Sequence, residues 1–170
     1  FVTSLSRDPT KFGSFFFPAF FSKPFGKFQK DMVQKLLDSK AQINIVFMPR
    51  GTGKSIIIAC LLCIILAIYY KAGYIMLVSQ SAERAYQLLD DIKAAIHMPT
   101  FMEFFGNMEG KKWSATKAHL YSEEFGVDCM IDARGRGAKI RGARFGSRRI
   151  DYCIADDIED DEDTENAELV

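Results

Sequence analysis

Ile43-Asn44-Ile45-Val46-Phe47-Met48-Pro49-Arg50-Gly51-Thr52-Gly53-Lys54-Ser55 is an apolar, β-rich run that breaks at proline and glycine and ends on a lysine and a serine. Positions 43–48 read as a short buried strand, closed by Pro49 and Gly51. Directly after Ser55 the chain turns apolar again, from Ile56 to Tyr70, over a length that suits a helix. Strand, glycine loop and helix is the order in which backbone N–H groups can wrap phosphate oxygens. In such a loop the lysine reaches the β and γ positions and a Ser or Thr hydroxyl holds magnesium. Gly51, Thr52 and Gly53 would form the cradle, with Lys54 as the cation and Ser55 as the hydroxyl. The stretch therefore predicts a site for ATP and Mg2+. Five residues before Gly53, where such loops usually carry a first glycine, stands Met48.

The segment 56–70 is shorter than the ~18 to 20 residues a bilayer crossing needs, and Gly73 stops it, so a buried core helix is expected and no membrane span. Upstream, Phe28, Met32, Val33, Leu36 and Leu37 recur at helical spacing. Gln29 opens that helix, where its amide could read an adenine edge, as any exposed helical glutamine could. Downstream, Tyr74 to Val78 reads as a second strand, and Ser81 caps a helix running to about Ile96. A short helix is expected near Phe101 to Phe105, with strands at Val127 to Ala133 and Ile150 to Ala155. The β-α-β-α order implies a mainly parallel central sheet covered by helices on both faces.

Magnesium needs an acidic partner, and an attacking water needs a base to orient it. The run Ile150 to Asp157 is largely apolar and ends in paired acids about a hundred residues after Lys54. Asp156 would serve the metal directly or through water, Asp157 is the first candidate base, and Glu159 is the second. The acids beyond, Asp160 to Glu168, read as a solvated stretch. Between the last two strands, Arg134 to Arg149 carries seven basic residues interleaved with glycine. Guanidinium groups on such a backbone approach phosphate closely. Contact with a nucleic-acid backbone, an arginine finger onto a γ-phosphate, and a solvated loop all fit it.

The 170 residues carry 22 basic and 22 acidic side chains, a balance that hides this local asymmetry. Nearly half the residues are apolar, enough for one substantial core. An aromatic-rich arm, residues 1–27, is broken by Pro9, Pro18 and Pro24 and is expected to lay its rings on the core of a nucleotide-binding domain spanning residues 28–170. The start at Phe1 and the stop just past the acidic motif suggest a piece of a longer protein, truncated at its C-terminal side. Cys60 and Cys63 form a C-x-x-C inside the apolar helix, where packing is favoured over metal, and a reducing compartment is expected.

Taken in order, Gln29, the loop Pro49-Arg50-Gly51-Thr52-Gly53-Lys54-Ser55, the basic Arg136-Gly137 and Arg141-Gly142-Ala143-Arg144 elements, and the strand end Asp156-Asp157-Ile158-Glu159 resemble the large terminase subunit of tailed bacteriophages over residues 25 to 165. The resemblance implies a P-loop NTPase of the RecA/ASCE-like kind that drives double-stranded DNA into a procapsid as a homo-oligomeric ring. It implies portal protein and small terminase subunit as partners. Its place would be the cytoplasm of the infected bacterial host, transiently on the procapsid. Loops with arginine before the glycine and no first glycine are common in that family. The resemblance gives Arg50 a role at the γ-phosphate, and Arg141 that of a finger acting in trans, with Arg136 second. At Asp157 the chain departs from the many members that carry glutamate. The family's nuclease domain would lie beyond Val170. A superfamily 2 helicase shares several elements but usually shows a D-E-x-H or D-E-x-D box, whereas a small-molecule kinase usually keeps the first glycine. A non-catalytic nucleotide- and DNA-binding module is the remaining alternative.

Overall fold

A computed structural model describes residues 8–49, 51–139 and 141–158. It is an α/β structure in which one sheet of five strands is flanked by helices. Asp8 starts the first helix, α1 (Pro9–Phe16): its carboxylate accepts from the Lys11 amide at 3.1 Å, and Pro9 takes a first-turn position where no N–H is needed. Phe12 and Phe16 then share one face, and both are fully buried with Phe17. Their rings meet those of Phe101 and Phe105 at centroid distances of 5.1–6.1 Å. Phe12, Phe16 and Phe17 of the aromatic arm are thus built into the main core, with rings of the kind that each contribute about 1.5–3 kcal/mol when buried.

Helix α2 (Lys27–Asp38) follows, amphipathic with Val33 buried. Helix α3 begins as a π-helical stretch (Ile56–Leu62) and continues as an α-helix (Cys63–Ile68). From Ala59 to Ile68 every residue is buried, which is why this segment is apolar on all sides. Among the described residues no helix is long and apolar enough to cross a membrane. Helix α4 (Ala82–Ile96) is capped by the Ser81 hydroxyl, which accepts from the Arg84 amide at 3.1 Å, and α5 (Pro99–Phe105) follows.

The strands are β1 (Tyr74–Ser79), β2 (Glu109–Ser114), β3 (Lys117–Ser122), β4 (Val127–Gly135) and β5 (Tyr152–Asp156), arranged β2-β3-β4-β1-β5. The pairs β4-β1 and β1-β5 are parallel, whereas β2-β3 and β3-β4 are antiparallel. The sheet is therefore mixed rather than mainly parallel. The cause is local: turns too short for a crossover join β2 to β3 and β3 to β4, and such turns permit only antiparallel neighbours. In the expectation above, the β2-β3 hairpin was absent. Coverage is also uneven. Ile75, Leu77, Ala118, Leu120, Cys129, Ile131 and Ile154 point into the core that holds all the buried helix residues. On the opposite face Tyr74, Met76, Val78 and Met130 are covered by Ala143, Phe145 and Ile150 from the basic segment instead.

The largest departure concerns residues 43–48, which form no strand. Ile43, Ile45 and Phe47 are 79%, 74% and 92% exposed. Strand propensity becomes a strand only when a ladder satisfies the backbone, and none of the five strands pairs with this segment. Local bonds compete as well: the Ser39 hydroxyl donates to Asn44 Oδ1 at 2.7 Å, tying the start of the segment to the end of α2.

Candidate functional site

The glycine loop meets the helix as the sequence requires even though the strand before it is missing. Gly51 and Gly53 have φ of 77° and 74°, the left-handed region that costs a side chain about 1–2 kcal/mol. The first helical bond runs from the Ile57 amide to the Gly53 carbonyl at 3.0 Å. The amides of Lys54, Ser55 and Ile56 therefore have no intrahelical acceptor and form the positive end of α3. Inside the loop the Thr52 hydroxyl donates to the Pro49 carbonyl at 2.8 Å. Gln29 braces it from outside: its Nε2 donates to the Thr52 carbonyl and its Oε1 accepts from the Gly26 amide, both at 2.7 Å. The amide expected to face a base is thus engaged with backbone on both sides.

Lys54 Nζ lies 3.7 Å from Asp156 Oδ1. The lysine is a third exposed, whereas the Asp156 side chain is 3% exposed and its Oδ2 is buried without a hydrogen-bond partner. A buried carboxylate oxygen left unsatisfied costs about 1–3 kcal/mol or more, so a site that keeps one is built for something other than stability. A divalent cation or its water shell is the chemical complement of that oxygen. Ser55, half-buried at the N-cap of α3 with no capping bond from its side chain, is the second candidate ligand. Among the described residues no group of three or more His, Cys, Asp or Glu could hold an ion alone.

Asp157 follows with its side chain exposed and a φ of 52°. The Gln80 amide donates to its carbonyl at 3.0 Å, and the buried Ser79 hydroxyl donates to the Asp156 carbonyl at 2.9 Å. Ser79 and Gln80 escaped the sequence reading; a polar serine closing an otherwise apolar strand was the available signal. Arg136 joins them, its amide donating to the Ser79 carbonyl at 2.8 Å and its guanidinium to the Ile158 carbonyl at 3.4 Å. All of this lies at the carboxyl ends of β1, β4 and β5, where parallel strands usually place ligands. A cleft of about 430 Å³ lined by Lys71, Gly73, Asp128, Arg148 and Asp151 lies at the opposite, amino-terminal ends of the same strands.

The basic segment splits into structural and exposed residues. Arg134 pairs with buried Asp132 at 2.8 Å, where the Tyr74 hydroxyl also donates at 2.8 Å. Burial and that bond push the Tyr74 phenol up to about 12. Arg148 pairs with Asp128 at 2.9 Å, and Asp128 also meets His119 Nε2 at 2.8 Å. Phe145 packs edge-on to the His119 ring, so both ends of the segment are fixed to the sheet. Lys139, Arg141, Arg144 and Arg149 stay exposed. Arg50 and Glu159, the proposed γ-phosphate residue and second base, lie outside the described residues. Searches of protein-family models, curated proteins and solved structures give no match to this chain.

Proposed function

We propose that the chain is an ATP-hydrolysing P-loop domain of the large-terminase kind, coupling hydrolysis to movement of double-stranded DNA into a procapsid. One observation carries the catalytic part: Lys54 stands 3.7 Å from a buried carboxylate whose other oxygen has no partner. Lys54 would draw the β- and γ-phosphate oxygens, with Gly51, Thr52 and Gly53 cradling them. Ser55 and Asp156 would hold Mg2+, which when bound neutralises charge developing on the transferred phosphoryl group. Asp157 is the first candidate to orient the attacking water and Glu159 the second, with Arg50 at the γ-phosphate. The exposed arginines of the basic loop support the DNA part, since guanidinium groups bind the phosphates of any duplex backbone irrespective of sequence. The motif order supports the terminase reading. From it follow the ring assembly, Arg141 as a finger onto a neighbouring subunit, the portal and small-subunit partners and the place in the infected host cell.

Steady-state phosphate release with and without duplex DNA tests this. DNA-stimulated turnover that disappears in Lys54→Ala supports the proposal. Binding of nucleotide and DNA with no turnover would replace it by a binding module. Asp157→Asn and Glu159→Gln, compared for turnover at unchanged ATP affinity, assign the base. Restored activity on mixing Arg141→Ala with Lys54→Ala subunits places the finger in trans, and no restoration at any ratio removes it.

A further inference from the structure

We infer that Ser79 is a positioning residue through which the root of the basic loop sets the acidic pair, an inference that rests on the proposed hydrolytic site. Ser79 ends β1 and is fully buried. It is the register partner of Gly135 on one side and of Asp156 on the other. Its two polar groups face different clients: the hydroxyl donates to the Asp156 carbonyl, and the carbonyl accepts from the Arg136 amide. The next residue repeats the pattern, with the Gln80 amide holding the Asp157 carbonyl. Asp157 adopts φ 52°, a left-handed conformation that aspartate enters more readily than most residues, and its surroundings hold it there. Those surroundings are Ser79 and Gln80 on one side, with the Arg136 guanidinium on the Ile158 carbonyl on the other.

The loop side of this linkage is rigid where it needs to be. A Cβ placed on Gly135 would come within 2.5 Å of the Ala82 amide nitrogen, so the end of β4 is jammed against the start of α4. From Arg136 the loop runs through exposed Lys139, Arg141 and Arg144 to its second anchor at Phe145 and Arg148. A polyanion drawn to these exposed cations pulls on a loop whose first fixed point is Arg136. The displacement passes to the Ser79 carbonyl and, through the same residue, to the peptides that aim Asp156 and Asp157. DNA on the loop then changes how well the acids are placed without touching nucleotide.

Ser79→Ala removes the hydroxyl without adding bulk, Arg136→Pro removes the amide that bonds the Ser79 carbonyl, and Arg136→Ala keeps that amide while removing the guanidinium on the Ile158 carbonyl. Hydrolysis is measured against ATP concentration with and without a blunt 30-base-pair duplex. In parallel, amide hydrogen exchange is followed at residues 79–81 and 152–158. The expected result is that Ser79→Ala lowers kcat about tenfold, the scale of a misplaced catalytic group, with KM within about twofold. At saturating duplex, Arg136→Pro should lose the stimulation, whereas Arg136→Ala should keep part of it. Duplex should alter exchange at residues 79–81 and 152–158 in the wild type and leave Arg136→Pro unaltered. Unchanged exchange on a duplex-saturated wild type overturns the linkage, as does wild-type kcat in Ser79→Ala. An exchange response without any ATP turnover keeps the linkage and overturns the hydrolytic reading alone. A wild type that binds no duplex at low salt overturns both the linkage and the DNA part of the proposal.

Discussion

Replacing Asp156 by asparagine should stabilise the ligand-free chain, whereas replacing its partner Lys54 by alanine should destabilise it. The asymmetry follows from where the two charges sit, with Asp156 3% and Lys54 32% exposed across 3.7 Å. Removing the buried member lets Lys54 turn into water, and a neutral amide is cheaper to bury than a carboxylate. The amide still leaves one polar atom without a partner, so the relief is that of burying a neutral group in place of a charge, about 1–2 kcal/mol, against a forfeited part-solvated ion pair worth about 0–1 kcal/mol. The balance is a gain of about 1 kcal/mol, which raises the melting midpoint by about 2–4 °C in a chain of this size. Removing Lys54 instead strands the buried acid. That costs about 3–5 kcal/mol in fully buried pairs and about 1–2 kcal/mol here, because the lysine is partly solvated. Circular dichroism melts of wild type, Asp156→Asn and Lys54→Ala, each with and without Mg–ATP, read both effects. Mg–ATP should raise the wild-type midpoint and leave both variants where they were. An Asp156→Asn midpoint several degrees below wild type would refute the reasoning, since the carboxylate would then be structural.

Phe47→Ser should cost less than about 0.5 kcal/mol, because the side chain is 92% exposed; a loss of about 3–5 kcal/mol in urea titration would put 43–48 inside the sheet, as its composition alone suggests. Burial pushes the Cys129 thiol up to about 12 and those of Cys60 and Cys63 higher, while Cys153 is exposed. Burial also raises the Cys153 thiol, so Cys153 should react first with a disulfide reagent near about pH 8 but more slowly than a free thiol, and labelling of Cys60 or Cys63 ahead of it would contradict their burial in the core. The His119 hydrogen bond, with help from Arg148, holds the Asp128 carboxyl below its usual 3.8. A depressed folded value means that the contribution is full above that usual value and lost as pH falls through the folded one. The urea midpoint should thus fall more steeply below about pH 4 in the wild type than in Asp128→Asn, and parallel curves would remove the clasp from the account.

Much of the site was legible because its chemistry is local in sequence. Glycine at 51 and 53 reports the backbone directly, and Ser81, with an apolar-periodic run behind it, marks α4 to the residue. The apposition of Lys54 and Asp156 also followed from motif order, although about a hundred residues separate them. What could not be read was pairing. Residues 43–48 and 74–78 have similar compositions, yet only the second finds neighbours on both sides. Likewise β2 is mostly polar and exposed, so no apolar alternation announced it, and its register with β3 is irregular. The basic segment looked like a uniform loop, since nothing in Arg148 or Phe145 alone shows that Asp128 and His119 wait on the sheet to receive them.

The central claim is that Lys54 and Asp156 form a magnesium-nucleotide site that hydrolyses ATP. Phosphate release under saturating Mg–ATP and duplex DNA, compared between wild type and Lys54→Ala, tests it most directly. Measurable turnover is expected in the wild type and none above background in the variant. Equal turnover in the two would contradict it.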